Sequence, residues 1–319
     1  FLLYLIGIAF AVLTGLILKH TLLKGDITPF VMELPPYHLP TVKAVLLRAY
    51  DRLKVFLFKA GRVLVPVVVI LAFLNSMGID GTFGNEDTEN SALSFVSKSI
   101  TPVLHPLGVT DENWPATVGV FTGIFAKEAV VGTLNSLYSG MDAAAADAGE
   151  NTQEEEPGFW EKIAASFATI PANLADLAGT FTDPLGLSVG DVADKEAAAD
   201  DQGVSVGTFG SMVTLFGSQV AAFAYLLFIL LYFPCCAAIA AVYRETNLGW
   251  TMFSAFWTTF LAYVGSTSFY QVATMSSHPA SSLTWIIGDL LALVTVIGIL
   301  KMIGAKKQAV IPQVAGASA

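Results

Sequence analysis

The segment FPCCAAIAAVYRE, Phe233 to Glu245, sets a proline and two adjacent cysteines inside a strongly apolar stretch. Proline lacks a backbone N–H, so Pro234 frees a carbonyl that lipid cannot satisfy. Thiols at Cys235 and Cys236 suit a soft or borderline metal ion. A broken helix carrying such ligands at membrane depth is what an ion path needs. Cysteines also fill helix interfaces as small hydrophobes. Successive helical residues point about 100° apart, which makes Cys235, at the break itself, the stronger ligand candidate.

A second constellation lies in NWPATVGVFTGIFAKEAVVGTLNSLY, Asn113 to Tyr138, where Lys127 and Glu128 interrupt an apolar run. An ionised carboxylate in a bilayer is costly unless paired or hydrated, so Glu128 is a candidate metal ligand; a structural ion pair or a helix cap is the plainer role. Lys127 points away from its neighbour and suits backbone carbonyls or a nearby interface. Glu33, within PFVMELPPYHLP, is placed either to bind a metal where it joins or leaves the path or, more simply, to link loop to helix. Asp289 is expected near the start of a helix, where capping explains it as well as function does. Tyr270 and Gln271 read as interhelical hydrogen bonders.

Other chemistries are missing from the sequence. His20, His38, His105 and His278 form no HExxH, and no GxxxxGK[ST] is present. The chain itself is therefore read as no enzyme. Two adjacent cysteines cannot form an ordinary bridge. A net charge of −10 does not suggest a nucleic-acid partner.

The elements that must hold these residues are membrane helices. The chain is 54% hydrophobic and 13% charged, against about 25% charged in soluble domains. Apolar stretches near the length of about 20 residues needed to span a bilayer run over Phe1 to Leu18, Val55 to Leu74, Thr117 to Tyr138, Gln219 to Val242, Thr251 to Ala273 and Leu283 to Ile303. The expected fold is all-α, a polytopic transmembrane bundle with a broken gate helix and a re-entrant segment, and the lipid bilayer is its first partner. Residues 1–138 hold helices, a proline-rich and amphipathic linker and the re-entrant segment. Residues 139–205 are an acidic insertion with a disordered run and an amphipathic helix from Phe159 to Leu177. Residues 206–304 form the gate region, and 305–319 a cytoplasmic tail. Basic residues around Lys19 to Lys54 and at Lys301, Lys306 and Lys307 mark the cytoplasmic side.

Within the linker, residues 41–54 read as a separate amphipathic helix with Val42, Leu46, Tyr50 and Leu53 on one face, either lying along the cytoplasmic interface or simply connecting its neighbours. Ser91 to Leu104 reads as a further interfacial helix. Counting crossings leaves a parity conflict: Asn113 and the broken helix both start on the outside. Re-entry of segment three is the favoured solution, and the small Gly119, Gly123 and Gly132 fit a packed hairpin. An extra crossing around Val204 to Ser218 is the alternative. The chain opens inside a helix with neither Met nor a basic leader, and so reads as a fragment.

At PFVMELPPYHLP, NWPATVGVFTGIFAKEAVVGTLNSLY and FPCCAAIAAVYRE, the chain resembles the ferrous iron transporter B (FeoB) family over most of residues 1–300. The resemblance implies the C-terminal part of that family's membrane domain, with FPCC as the second gate and Cys235 as its cysteine. The first gate motif and an N-terminal G-protein domain would lie upstream of Phe1. For the whole protein it implies Fe²⁺ uptake across a bacterial inner membrane, with Fe²⁺ as substrate. No cofactor would be held permanently, and GTP and Mg²⁺ would act only through the missing domain. Small cytoplasmic accessory proteins and further copies of the chain are the other expected partners. A nucleoside-type or other solute carrier with the same gate architecture, and a scaffold subunit with no path, are the competing readings.

Overall fold

The computed structural model describes residues 2–23, 41–86, 88–125, 127, 129–146, 169 and 206–310. These residues form α1 (Leu2–Thr21), α2 (Val42–Ser76), α3 (Ala92–Leu104), α4 (Trp114–Phe125), α5 (Ala129–Ala146), α6 (Val206–Phe216), α7 (Gln219–Leu231), α8 (Cys236–Glu245), α9 (Leu248–Ala273) and α10 (Pro279–Val310). Short 3-10 turns over His105–Leu107 and Asp111–Asn113 join α3 to α4. Two isolated bridges, Met77 with Phe83 and Gly78 with Ser91, pin the loop between α2 and α3.

Among the described residues, Leu2–Thr21, Gln219–Glu245 and Pro279–Ala305 are long and apolar enough to cross a membrane. Leu5, Ile8, Val12 and Leu16 of α1 are exposed, as are Leu290, Leu291 and Val294 of α10. Apolar surface of this extent needs lipid to cover it. The fold is an all-α membrane bundle. The 26-residue α9 is less apolar because it sits centrally, packed on α7, α8 and α10. Its Thr251, Ser266, Thr267 and Gln271 are buried against protein.

The two helices of segment three double back on each other. The Tyr138 hydroxyl donates to Asn113 Oδ1 at 2.6 Å, whereas a straight helix over that stretch would hold the two residues about 37 Å apart. Gly119 and Gly123 of α4 lie against Leu134 and Val130 of α5. This hairpin has the doubled-back form that re-entry requires. Of the alternative crossing, the described residues form α6, 11 residues long, about 16 Å of helix, which packs on α5.

One core cluster joins the hairpin to α7 through Ala116, Val130, Leu134, Tyr138, Tyr225, Phe228 and Tyr232. A smaller one joins Trp114, Val118 and Leu137 to Leu71 and Leu74 of α2. A third ties α1 to α9 and α10 through Ile17, Leu18, Trp257, Leu261 and Leu300.

Three expectations change. Residues 41–54 and the following span are one 35-residue helix, α2, because the charged stretch Asp51 to Lys54 contains no breaker and its Arg, Leu and Lys are good helix formers. α10 continues to Val310, past the point where the tail was expected to begin. Asp289 lies well inside α10, buried, and accepts a hydrogen bond from the Ser268 hydroxyl at 3.1 Å; it joins α9 to α10 and caps nothing. The Ser91 to Leu104 helix forms as expected, with the Ser91 hydroxyl accepting the Ser94 N–H. The proline-rich segment and the Phe159 to Leu177 helix lie outside the described residues, Thr169 apart.

Candidate functional site

Two helix breaks face each other. The first is the three-residue gap between α4 and α5, at the tip of the hairpin, which contains Lys127. The second separates α7 from α8. There the Tyr232 N–H still bonds the Phe228 carbonyl at 2.8 Å, but the chain turns extended at Tyr232 (φ −67°, ψ −169°). Pro234 has no N–H to offer Leu230, so the last carbonyls of α7 need another donor. Lys127 supplies it. Its ammonium donates to Ile229 O at 3.2 Å and Leu230 O at 3.3 Å. The same ammonium lies 5.0 Å from the centre of the Tyr232 ring, within cation–π range. A positive group at a helix C-terminus is also favoured by the helix dipole.

Two tyrosines of α7 and its C-terminus lock the hairpin in place. Tyr225 donates to Ala116 O at 2.8 Å, and Tyr232 to Val120 O at 3.0 Å. Both hydroxyls reach α4 over glycine: a Cβ on Gly119 would lie 2.8 Å from the Tyr225 hydroxyl, and one on Gly123 would clash with that of Tyr232. Gly132 faces open space instead, so the hairpin packing does not use its small size.

Cys235 is the N-cap residue of α8, yet its side chain accepts no cap hydrogen bond. Cys236 opens the helix. Both are half-buried and unbridged. The Cys235 sulfur lies within electrostatic reach of the Lys127 ammonium. Pro234, Cys235, Cys236 and Lys127 are thus brought to one place, whereas Glu33 and Glu128 lie outside the described residues. Among the described residues, no three His, Cys, Asp or Glu side chains converge as a ready metal cage.

Elsewhere, Gln271 donates to Pro106 O at 2.9 Å, the interhelical role expected of it. It also lines a cavity of about 400 Å³ with His105, Tyr263 and Trp285, where His105 Nε2 lies 2.9 Å from Asp111. The sequence reading singled out neither Tyr225 nor Tyr232. A hydroxyl inside an apolar run was the available signal, since a buried Tyr O–H needs a partner.

The family described as "Nucleoside recognition", named Gate, matches residues 57–249, a span holding both breaks and most of the chain. The chain belongs to the Gate family. In this Gate protein, residues 1–52 also match the family "Ferrous iron transport protein B C terminus", so the resemblance carried by the three quoted segments is upheld. The chain is 43% identical over 303 residues to the Fe(2+) transporter FeoB of Escherichia coli (strain K12), covering 94% of this chain and 37% of that protein. It is 42% identical over 303 residues to the FeoB protein of Shigella flexneri and 41% over 304 to that of Salmonella typhi, with the same coverage. The chain therefore spans 37% of the length of these curated relatives. No solved structure matches it at a significant level.

Proposed function

We propose that this chain is the membrane-embedded part of a ferrous iron uptake transporter in a bacterial inner membrane. Fe²⁺ passes between the two helix breaks, with Cys235 as the principal ligand. Cys236 and Glu128 border the path, and Glu33 serves where the ion leaves on the cytoplasmic side. Pro234 and Lys127 set the geometry of the gate. The observation that carries this reading is the meeting of two broken helices, where Lys127 bonds the last carbonyls of α7 and the Cys235 thiol makes no cap hydrogen bond. Discontinuous helices of this kind build ion sites in transporters. A thiol with oxygen donors suits Fe²⁺, and a loosely built site allows release. Gating by GTP and Mg²⁺ belongs to a G-protein domain outside this chain, and accessory proteins and further copies of the chain would act on the whole protein.

The description of the Gate family as nucleoside recognition favours a second reading, a carrier of nucleosides. The relatives, Fe(2+) transporters by name, favour iron. Uptake of ⁵⁵Fe²⁺ by the full-length parent protein tests the choice, comparing wild type with Cys235→Ser and Glu128→Ala at matched membrane insertion. Loss in both variants is expected. Normal uptake in both would remove these residues from the path. Uridine competing with Fe²⁺ in the wild type would favour the nucleoside reading.

A further inference from the structure

The Lys127 ammonium sits on two backbone carbonyls, Ile229 O and Leu230 O, with an aromatic face beneath it and a thiol within electrostatic reach. Each of these groups also favours a metal cation. Carbonyl oxygens at the end of an interrupted helix coordinate ions in transporters, and a thiolate adds a softer ligand. A protein that needed only to satisfy the two carbonyls could use a neutral donor. Here it has placed a full positive charge, on a flexible four-carbon stem, where a positive ion would bind.

We propose that Ile229 O, Leu230 O and Cys235 Sγ form a divalent-cation site, and that Lys127 is its tethered occupant when no ion is present. This rests on the transporter reading above and names the ligands and the competitor at its gate. The arriving ion takes the two carbonyl oxygens and the Cys235 sulfur. The thiol proton passes to water, and the ammonium swings out of the site. Occupancy of the site by the protein's own cation keeps the two helix-end carbonyls bonded between ions. It also lowers the affinity for the metal, as a site that must release its cargo requires.

The test is Co²⁺ binding to the purified full-length protein in lipid nanodiscs under anaerobic conditions, followed by the thiolate-to-cobalt absorption band. Lys127→Met keeps the length of the stem and removes the competitor. It is expected to bind Co²⁺ at least about tenfold more tightly than wild type, a gain of about 1.4 kcal/mol. Lys127→Arg keeps a cation on the carbonyls and is expected to show no gain. The band should vanish in Cys235→Ser. Binding by Lys127→Met no tighter than wild type, in monodisperse protein, overturns the proposal. Should that variant fail to fold, the wild type decides: saturating Co²⁺ is expected to raise acylation of Lys127 by a small amine reagent. Unchanged acylation with a saturated cobalt band overturns the proposal equally. Wild-type ⁵⁵Fe²⁺ uptake separates the two levels. If uptake is present and the gain absent, only the tethered cation fails; if neither uptake nor Co²⁺ binding occurs, the transporter reading fails with it.

Discussion

Gly123→Ala adds a single methyl where α4 meets the break in the gate helix. That carbon would lie 2.6 Å from Val130 Cγ2 and would overlap the Tyr232 hydroxyl. Tyr232 has little freedom to retreat. Its hydroxyl is tied to Val120 O and its ring lies under Lys127. Overpacking of this kind costs about 1–3 kcal/mol, and a loosened Tyr232 hydrogen bond adds about 1 kcal/mol. Alanine returns about 0.5–1 kcal/mol through its better helix propensity. The net expectation is a loss of about 1–3 kcal/mol. Gly132→Ala is the internal control: its added methyl meets nothing within 4 Å, so it should be neutral or stabilising by up to about 1 kcal/mol. Thermal unfolding of detergent-solubilised protein, read by size exclusion, should rank Gly123→Ala below wild type and Gly132→Ala at or above it. The decisive comparison places Gly123→Ala in a Tyr232→Phe background, where the obstructing oxygen is gone. The cost there should shrink by at least about 0.5 kcal/mol, the usual threshold for coupled neighbours. An equal cost in both backgrounds would refute the packing argument.

Gln271→Leu leaves the Pro106 carbonyl without its buried donor. It should destabilise the protein by about 1–3 kcal/mol, measured by the same unfolding assay. Ser91→Ala removes the cap of α3, and a loss of about 1 kcal/mol is expected, with faster amide exchange confined to the first turn of that helix. In the loop between α2 and α3, hydrogen bonds from Thr82 hold the Asp80 carboxyl below its ordinary range, and one from the Ser76 hydroxyl does the same for Glu86. A group with a depressed folded pKa contributes stability above its unfolded pKa and loses it as pH falls through the folded value. The loop should therefore keep its order from neutral pH down to about 4 and loosen below that. Amide exchange over residues 78–91, corrected for intrinsic rates, reads this; loosening that begins near pH 6 would contradict it.

Much of the site was legible because membrane interiors punish irregularity. Pro234 announced the break, since no lipid replaces a missing N–H. Lys127 was legible as a carbonyl binder because its sequence neighbour could not face it. The hairpin followed from counting crossings, with the small residues of the segment as support. What escaped was everything that depends on partners distant in sequence. Nothing in the run Gln219 to Leu231 tells which carbonyl the Tyr225 hydroxyl meets, 109 residues away. The amphipathic pattern at 41–54 gave the right helix and the wrong boundary, because a charged stretch continues a helix as readily as it ends one. Asp289 was read by its distance from an assumed helix start, and α10 begins earlier than assumed, at Pro279.

The depth of the hairpin tip has an electrical consequence. α4 has 12 residues, about 18 Å of helix in a hydrocarbon core about 30 Å thick. In the proposed re-entrant arrangement, a charge held at that tip would have crossed roughly half of the membrane voltage. Each elementary charge gains about 2.3 kcal/mol per 100 mV over the full drop, so a divalent ion moving inward gains about that much by reaching the tip alone. Loading of the gate would then strengthen with the membrane potential, and dissipating the potential would weaken occupancy before any moving part of the protein was touched.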